Sequence, residues 1–406
     1  MKKLMWSVVL AVLMFASVWV VPEPAEAVPS FARQTGKSCS GCHTVWPRLN
    51  ATGREFKLTA YTDVAEDYPR IDKDNMDLLR YGPLSISIIS LPYSKTDRSD
   101  VNGERSETLI PDEVALFYAG RITPNIGAFI EPILAPEFEF EFAKLATARR
   151  WGENIVGVAA GKMDVGGADP YNTIRFTSYH TINQPAIFSE PDALSGSRDL
   201  FSWVGTTNQG IVLYGKLFQF LYVAAGGFRG HASSDPADTF GRLVVELPIG
   251  GEASVSFGGF FYGGKEIYDH SDPADPLNAL GIYQSELTRS GADLQFQMES
   301  GPHIIDAVGV YMAGKDEDLD NTPGMQVKYD GFYAEASYFF ERQYGVTVGY
   351  DKVESKEDTS MDKKGPTFNV AYFPWLNTKI ALEYSTWDRA NSVKEKATNF
   401  LVHLYF

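Results

Sequence analysis

The sequence predicts an all-β protein: a β-barrel of about sixteen strands that follows a short N-terminal segment. Two observations lead to this fold class. From about residue 83 to the end, apolar and polar residues alternate with the period of a β-strand, and almost no helical period intervenes. The chain also begins with an export signal, after which no run of about 18 apolar residues could form a spanning helix. A chain with these features can cross a membrane only as a closed barrel.

Residues 1–27 are predicted to be a secretory signal peptide. Two lysines precede the apolar stretch Leu4–Val21, and Ala25-Glu26-Ala27 forms an A-x-A cleavage site. The apolar stretch is also long enough for an uncleaved membrane anchor. Because Pro22 and Pro24 are followed by a small-residue site, cleavage is favoured, and we expect an exported mature chain.

The only two cysteines form the motif Cys39-Ser40-Gly41-Cys42-His43, which is the C-x-x-C-H signature of c-type haem attachment. The thiols would bond to the haem vinyl groups, and the histidine would ligate the iron. A zinc site is one alternative, but zinc usually takes four ligands, and no second C-x-x-C or H-x-x-x-H is present. A disulfide is another, since two close cysteines in an exported protein can oxidise. The motif favours one covalently bound haem c, with Cys39 and Cys42 as attachment residues and His43 as the proximal ligand.

Residues 28–82 form the segment that would carry this haem. The segment is short and contains few apolar residues, and domains of this length are marginally stable alone. We therefore expect it to plug or cap the barrel lumen. A weak helical pattern is present around Lys73–Arg80.

Residues 83–406 are predicted to form the barrel, and the clearest strand is Glu137–Phe142. Alternate side chains of a strand face opposite sides, so its three phenylalanines share one face and Glu137, Glu139 and Glu141 share the other. A barrel in lipid needs this division, with the polar face toward the lumen. A soluble sheet with one wet face would account for this hexapeptide equally well, but not for the recurrence of the pattern along the chain.

Similar alternating segments recur through the barrel region, and with their turns they correspond to about sixteen strands. Tyrosine and phenylalanine cluster near the segment ends, as in the aromatic girdles of membrane barrels. The segments are Leu84–Ile89, Glu113–Ala119, Asn125–Leu134, Ile155–Met163, Gly210–Phe218, Phe220–Phe228, Phe240–Leu247, Ala253–Tyr262, Ala292–Met298, Ile304–Met312, Met325–Tyr329, Phe332–Phe340, Tyr344–Asp351, Pro366–Phe373, Thr378–Trp387 and Ala397–Phe406.

The end of the chain and the connections between segments indicate the outer membrane. Every second residue from Phe400 to Phe406 is apolar, and the chain ends in phenylalanine, which resembles the terminal strand of bacterial outer-membrane barrels. Long polar connections, such as residues 92–107 and 163–208, contrast with short turns, as expected of these barrels. With the export signal, these features predict an outer-membrane β-barrel in contact with lipid.

The formal net charge of the chain is −16, and the pI is about 4.9. Such acidity argues against nucleic acid as a partner, because its phosphates would be repelled. It suits a protein that collects cations, since a strongly signed surface raises the local concentration of counter-ions.

Four stretches of the N-terminal segment carry a family resemblance: Val28–Gly36, Cys39–His43, Pro47–Asn50 and Gly53–Lys57. They resemble the fused cytochrome–porin family of outer-membrane iron oxidases of iron-oxidising bacteria. The resemblance is close up to about residue 61 and only architectural over the barrel. It implies a one-electron Fe(II) oxidase that takes electrons from ferrous iron outside the cell and passes them to periplasmic carriers, of which a c-type cytochrome is the natural expectation.

The resemblance also implies roles for individual residues. Cys39 and Cys42 match the thioether positions, and His43 matches the proximal ligand. Arg33 and Gln34 match the residues before the haem, where they would help to hold its propionates or the adjoining loop. For Arg33, an ordinary surface cation is the alternative.

The sixth iron ligand remains open at this point. Met76 is the only methionine in the N-terminal segment after His43, and methionine opposite histidine raises the haem potential, which suits an acceptor for iron. An apolar contact is its alternative role. Other histidines could ligate the iron if the plug reaches them: His180, His231, His270 and His303.

Oxidation of ferrous iron forms no bond to the substrate, so no nucleophile or acid–base pair is expected. It needs a haem near the outer surface and weak oxygen ligands, since divalent iron accepts carboxylates. Glu137, Glu139 and Glu141 would offer transient ligands if they line the lumen; their alternative role is only to hydrate it. Two other functions stay open: a general electron conduit with a donor other than iron, and a mainly passive porin.

Overall fold

The computed structural model describes residues 29–73, 76–100, 104–175, 179–187, 208–229, 238–269, 282–317, 326–357, 359 and 362–406. The predicted signal peptide lies outside the described residues, as do His231 and His270. The described part consists of a small N-terminal segment and a closed barrel. None of its helices is long and apolar enough to cross a membrane.

The N-terminal segment contains three short helices, a hairpin and no larger sheet within its described residues. The helices are α1 (Pro29–Thr35), α2 (Cys39–Cys42) and α3 (Ala51–Leu58), and the hairpin strands are β1 (Arg70–Lys73) and β2 (Met76–Leu79). The helix that the sequence pattern weakly predicts around Lys73–Arg80 is therefore wrong. A helix of that length is marginal without packing, whereas pairing of β1 with β2 satisfies the same backbone groups.

Sixteen antiparallel strands form a closed barrel within the described part of the chain, so the predicted strand number is confirmed. The strands are β3 (Leu84–Arg98), β4 (Glu104–Thr123), β5 (Ile126–Ala135), β6 (Glu139–Trp151), β7 (Asn154–Met163), β8 (Asn208–Leu217), β9 (Leu221–Phe228), β10 (Asp238–Ile249), β11 (Ala253–Asp269), β12 (Ile282–Ser300), β13 (His303–Glu317), β14 (Gln326–Phe340), β15 (Tyr344–Ser355), β16 (Lys363–Trp375), β17 (Thr378–Arg389) and β18 (Lys394–Tyr405). Each pairs with its neighbours along the chain, and β18 pairs with β3 to close the sheet. Closure leaves no unpaired edge, as lipid requires.

The barrel wall is apolar on its outer face and largely polar on its inner face. Leu213, Phe257 and Val370 are among the large apolar side chains exposed on the outside. Arg289 and Glu383 are among the charged side chains buried on the inside. This division is typical of strands that lie between lipid and a polar lumen.

The two ends of the barrel differ. One end, here called the short-turn end, carries tight turns such as those joining β6 to β7 and β12 to β13, together with the start of β3 and the end of β18. The opposite, long-loop end carries the longer connections, including the one between β7 and β8.

Several strands extend further than the alternation predicts. β3 reaches Arg98 and β4 starts at Glu104, with Ser94 paired to Glu107, so the predicted long loop at 92–107 is wrong. β14 is likewise one strand where the sequence predicts two segments. In both places polar residues continue the ladder, because backbone pairing does not require an apolar face.

Residues 29–65, here called the plug, lie inside the barrel at the short-turn end. Arg342, in the turn between β14 and β15, donates through Nε to the carbonyl of Thr44 at 3.2 Å. Trp46 packs edge-on against His403 of β18, with ring centroids 5.0 Å apart. The plug therefore contacts different sides of the wall.

A fully buried arginine pairs the plug with the barrel. Arg48 Nε lies 3.4 Å from an oxygen of Asp306 on β13, and its Nη2 lies 3.5 Å from an oxygen of Glu335 on β14. The same guanidinium lies over the ring of Tyr179, 4.8 Å from its centroid. One plug side chain thus joins two barrel strands and a connecting segment.

A second buried arginine makes a similar junction from α3. Arg54 donates to Glu246 on β10 at 2.5 Å and to Gln297 on β12 at 2.7 Å. It also donates to the carbonyl of Leu49 at 2.9 Å, within the plug itself. Guanidinium groups suit such sites because their five donors can serve several acceptors at once.

Residues 164–175 and 179–187, here called the luminal loop, belong to the long connection after β7 and fold back into the lumen. Carboxylates of the wall accept hydrogen bonds from its backbone N–H groups. These pairs are Glu335 with His180 at 3.1 Å, Glu383 with Asn183 at 2.7 Å and Asp351 with Ala186 at 2.8 Å. The largest buried apolar cluster joins this loop, the plug and the barrel wall, and includes Leu58, Ile174 and Val244.

We expect Arg48→Ala to loosen the plug. The change leaves Asp306 and Glu335 buried without their cation, which typically costs about 3–5 kcal/mol. Because about 1.4 kcal/mol corresponds to tenfold, cleavage of the plug by added protease in the folded barrel should rise at least about a hundredfold. Arg70→Ala removes an exposed arginine of β1 and serves as the control. Equal cleavage rates in both variants would contradict the anchoring role of Arg48.

Candidate functional site

The C-x-x-C-H motif forms a single helical turn in the plug. Cys39 is buried and Cys42 is half-buried, and no disulfide joins them. The backbone N–H of His43 donates to the carbonyl of Cys39 at 2.8 Å, and Cys39, Cys42 and His43 all line the same cleft. The turn therefore presents two thiols and one ring to the same side of the plug.

That side of the plug opens into a cleft of about 140 Å³ that is partly continuous with solvent. Its walls are mainly apolar and aromatic, and three cations stand among them. The apolar walls are Phe31, Leu49, Phe56, Tyr61 and Phe129, and the cations are Lys37, Lys57 and Arg175.

The ring of His43 is set up as a metal ligand. Burial lowers the pKa of His43 to about 4, and the nearby backbone of Arg48 and Pro47 opposes this only partly. The imidazole is therefore neutral at neutral pH, which is the form that binds metal. Its Nδ1 is enclosed and has no hydrogen-bond partner among the described residues.

The position of α2 is fixed by α3. Asn50 caps α3 by accepting a hydrogen bond from the N–H of Gly53 at 3.0 Å, and its side chain donates to the carbonyl of Ser40 at 3.2 Å. The backbone N–H of Asn50 donates to the carbonyl of Cys42 at 3.0 Å. Gly53 lies so close to Cys42 that a Cβ there would overlap the Cys42 carbonyl oxygen. Asn50 and Gly53 thus hold the C-x-x-C-H turn against the start of α3.

The luminal loop closes one side of the cleft. Lys57 donates to the carbonyl of Asp169 at 2.6 Å and to the side-chain oxygen of Asn172 at 2.8 Å. Burial, aided by the charge of Lys144, lowers the pKa of Lys57 well below its ordinary value. Lysine and arginine at the edge of an apolar cleft are suitable partners for the carboxylates of a ring-shaped cofactor.

The chemistry of these residues fits a c-type haem. Cys39 and Cys42 offer the two thiols, His43 offers a neutral imidazole, and apolar walls would surround a flat macrocycle. Arg175, whose Nε donates to Asp164, would pair with a propionate through its remaining N–H groups, and Lys57 would serve as a hydrogen-bond donor beside it. Among the described lining residues, no second histidine and no methionine faces the cleft.

The described residues that line the cleft do not include the predicted sixth iron ligand. The backbone of Met76 starts β2, but its side chain lies outside the described part, so ligation by Met76 stays a prediction. His180 is buried in the luminal loop, and neither ring nitrogen has a hydrogen-bond partner among the described residues. His303 is at the short-turn end, where its Nδ1 and the hydroxyl of Tyr338 are 2.8 Å apart.

Arg33 and Gln34 do not line the cleft. The side chain of Gln34 is buried: it donates to the carbonyls of Tyr61 and Asp63, both at 2.7 Å, and accepts from the N–H of Arg121 on β4 at 2.9 Å. It therefore holds the loop after α3 against the barrel. Arg33 is exposed and donates to the carbonyl of Leu84 at the start of β3.

The structure separates the three predicted iron-binding carboxylates. Glu137 and Glu139 are exposed near the connection before β6, whereas Glu141 points into the lumen. A register shift opposite Glu131 breaks the alternation, so that Phe142 is buried inside and does not share the outer face of the preceding phenylalanines. The single-face prediction for the hexapeptide is therefore wrong at Phe142, because a bulge reorients the residues that follow it.

Glu141 lines a second cavity, here called the acidic chamber, of about 430 Å³ between the plug and the luminal loop. Asp112, Glu113 and Glu131 line it too, and sequence analysis missed all three. Glu131 follows Phe-Ile and precedes Pro-Ile, and a carboxylate inside such an apolar strand is the signal that could have identified it.

No family model matches the sequence, and no curated protein matches it. Among solved structures, an anion-selective porin from Comamonas acidovorans is similar at 12% identity, with 80% of this chain and 98% of that chain covered and a TM-score of 0.53. A complex of Salmonella typhi OmpF with daunomycin matches at 10% identity, 83% and 100% coverage and a TM-score of 0.53. A loop-deletion mutant of Vibrio cholerae OmpT matches at 13% identity, 80% and 98% coverage and a TM-score of 0.50. At these identities the similarity shows the fold, a barrel like those of outer-membrane porins.

We expect Gly53→Ala to lower the haem content of the purified protein severalfold. The new Cβ would push α3 away from α2, and overpacking of this kind typically costs about 1–3 kcal/mol. The measurement is haem absorbance per folded chain. Thr52→Ala, at the exposed neighbouring position, should keep the wild-type content, and full haem loading of Gly53→Ala would show that the contact is unimportant.

Proposed function

We propose that this protein is an outer-membrane electron-transfer protein that oxidises ferrous iron from outside the cell at a single c-type haem. The electron would pass to a periplasmic c-type cytochrome. One observation carries the proposal: two thiols and a neutral imidazole line one largely apolar cleft inside a barrel, next to a chamber lined with carboxylates. The resemblance of the N-terminal segment to cytochrome–porin iron oxidases supports the same reading.

The orientation of the barrel gives the direction of electron flow. Outer-membrane barrels have short periplasmic turns and longer extracellular loops, so the short-turn end would face the periplasm. The C-x-x-C-H motif would then lie at the periplasmic mouth, within reach of a soluble acceptor. Iron would approach from the long-loop end, through the lumen, rather than at the outer surface as the sequence suggests.

Each part of the site has a task in this reaction. Cys39, Cys42 and His43 would hold the redox centre, and the aromatic walls would limit the access of water to it. Arg175 would pair with its acidic groups, and Lys57 would donate hydrogen bonds to them. The carboxylates of the acidic chamber attract the divalent ion, because a charged cavity concentrates counter-ions.

The reaction moves one electron at a time and forms no bond to the protein. Each ferrous ion gives up one electron and leaves as ferric ion, and the periplasmic cytochrome takes up that electron. When bound, a c-type haem supplies the one-electron redox centre between donor and acceptor. A polypeptide that holds the donor only weakly suits this task, since the ferric product must leave.

Two other functions are compatible with the same fold. A passive porin is favoured by the similarity to channel-forming barrels, but the plug and the luminal loop occupy the lumen. A general electron conduit would use the same cleft with an organic or solid donor.

The test is anaerobic stopped-flow mixing of the oxidised, detergent-solubilised protein with ferrous iron at neutral pH. We expect rapid and saturable reduction, followed through the haem absorption bands. The double variant Cys39→Ser/Cys42→Ser should lack covalent haem and serves as the blank. Reduction by dithionite but not by ferrous iron would refute the iron-oxidase function and favour the general conduit. A large ionic conductance of the wild-type protein in planar bilayers would favour the passive porin.

A further inference from the structure

The acidic chamber holds more carboxylates than its surroundings balance. Its four acidic side chains come from three neighbouring strands: Asp112 and Glu113 on β4, Glu131 on β5 and Glu141 on β6. None of the four carboxylates forms a hydrogen bond or an ion pair with another described residue. Their carboxylate groups therefore face the chamber without a partner from the protein.

The cations that line the chamber are already engaged. Arg175 donates through Nε to Asp164 at 2.6 Å. Lys379 donates through Nζ to the carbonyl of His180 at 2.9 Å. Among the described residues, neither cation lies within ion-pair distance of the four chamber carboxylates. The charge of Arg175 acts on Glu131 and Glu141 from further away, but Asp164 shares that charge. Four carboxylates and two cations therefore leave the chamber lining with an excess of acidic groups.

Glu131 shows this excess of acidic groups over cations most clearly. Its side chain is only 9% exposed, it lines the chamber, and it has no hydrogen-bond or ion-pair partner in the described part of the chain. Comparable luminal carboxylates are matched: Glu246 pairs with Arg54 at 2.5 Å, and Asp316 pairs with Arg289 at 2.8 Å. A carboxylate at such depth without a hydrogen-bonded or ion-paired partner is costly to keep charged, and a positively charged ligand beside Glu131 would offset that cost.

We propose that the acidic chamber binds one hydrated divalent cation, held by Glu131 together with Glu113 and Glu141. Identification of this cation as the ferrous substrate rests on the proposed function. Within the described residues, no three His, Cys, Asp or Glu side chains form a group that could hold a metal ion by direct ligation. The ion therefore keeps most of its water shell, and the carboxylates accept hydrogen bonds from those waters.

The acidic chamber lies directly beside the cleft. The two cavities share four lining residues: Pro47, Phe129, Asn172 and Arg175. A cation in the chamber is thus separated from the cleft by a single layer of side chains. Weak, water-mediated binding suits an ion that must change its charge and leave.

The first experiment measures binding of Mn²⁺, as a redox-stable probe, to the full-length haem-loaded protein in detergent, from the EPR signal of free Mn²⁺. We expect one site in the wild type and at least about tenfold weaker binding in Glu131→Gln, a change of about 1.4 kcal/mol. Glu141→Gln is the second variant, in case Glu131→Gln fails to fold. Glu252→Gln, at an exposed short turn, should bind as the wild type does. Wild-type affinity in folded Glu131→Gln and Glu141→Gln would overturn the proposal.

The second experiment distinguishes failure of this site from failure of the proposed function. Ferrous iron and dithionite are each mixed with wild type and Glu131→Gln, and haem reduction is followed. We expect the iron concentration for half-maximal rate to rise about tenfold in the variant, in proportion to the loss of Mn²⁺ affinity, with dithionite reduction unchanged. If iron reduces both proteins with the same concentration dependence, the site is refuted and the proposed function stands. If iron reduces neither, while Mn²⁺ binding depends on Glu131, the proposed function is refuted and the cation site stands.

Discussion

The pairing of buried charges across the lumen is the interaction on which the rest of the structure depends. Arg48 and Arg54 belong to the plug, whereas their carboxylate partners belong to the barrel wall. Neither part is complete alone, because an empty barrel would leave Asp306, Glu335 and Glu246 without their plug arginines. An uncompensated buried charge is far more costly than a paired one. Plug and barrel therefore determine each other's position, and with it the position of the C-x-x-C-H motif.

The luminal loop extends this pairing through the lumen. Glu335 accepts hydrogen bonds from the loop backbone and also faces Arg48 of the plug, so it connects plug, wall and loop in one network. Glu383 and Asp351 hold further N–H groups of the loop. Polar networks of this kind are rigid where their members are satisfied. The cleft and the acidic chamber lie between these layers, and their shape follows from the network around them.

The sequence predicted those features that are local. The strand number follows from alternation, which each strand shows by itself, and the motif around Cys39 is contiguous. The partners of Arg54 could not be predicted from local patterns, since Glu246 lies 192 residues away along the chain. Glu141 was identified, but Phe142 was assigned to the wrong face, because the bulge that turns Phe142 into the lumen depends on pairing with β5. Alternation within one strand contains no information about such a bulge.

Under the proposed function, the depth of the cleft selects the electron donor. The motif lies at the short-turn end with the luminal loop packed in the lumen beside it, so a solid particle at the opposite end cannot touch it. A dissolved ferrous ion can be drawn inward by carboxylates such as Glu131. The ferric product carries one more positive charge and would be held more tightly by the same groups. Carboxylates that reach the ion only through its water shell limit that retention, so the ferric ion can leave before the next ferrous ion arrives.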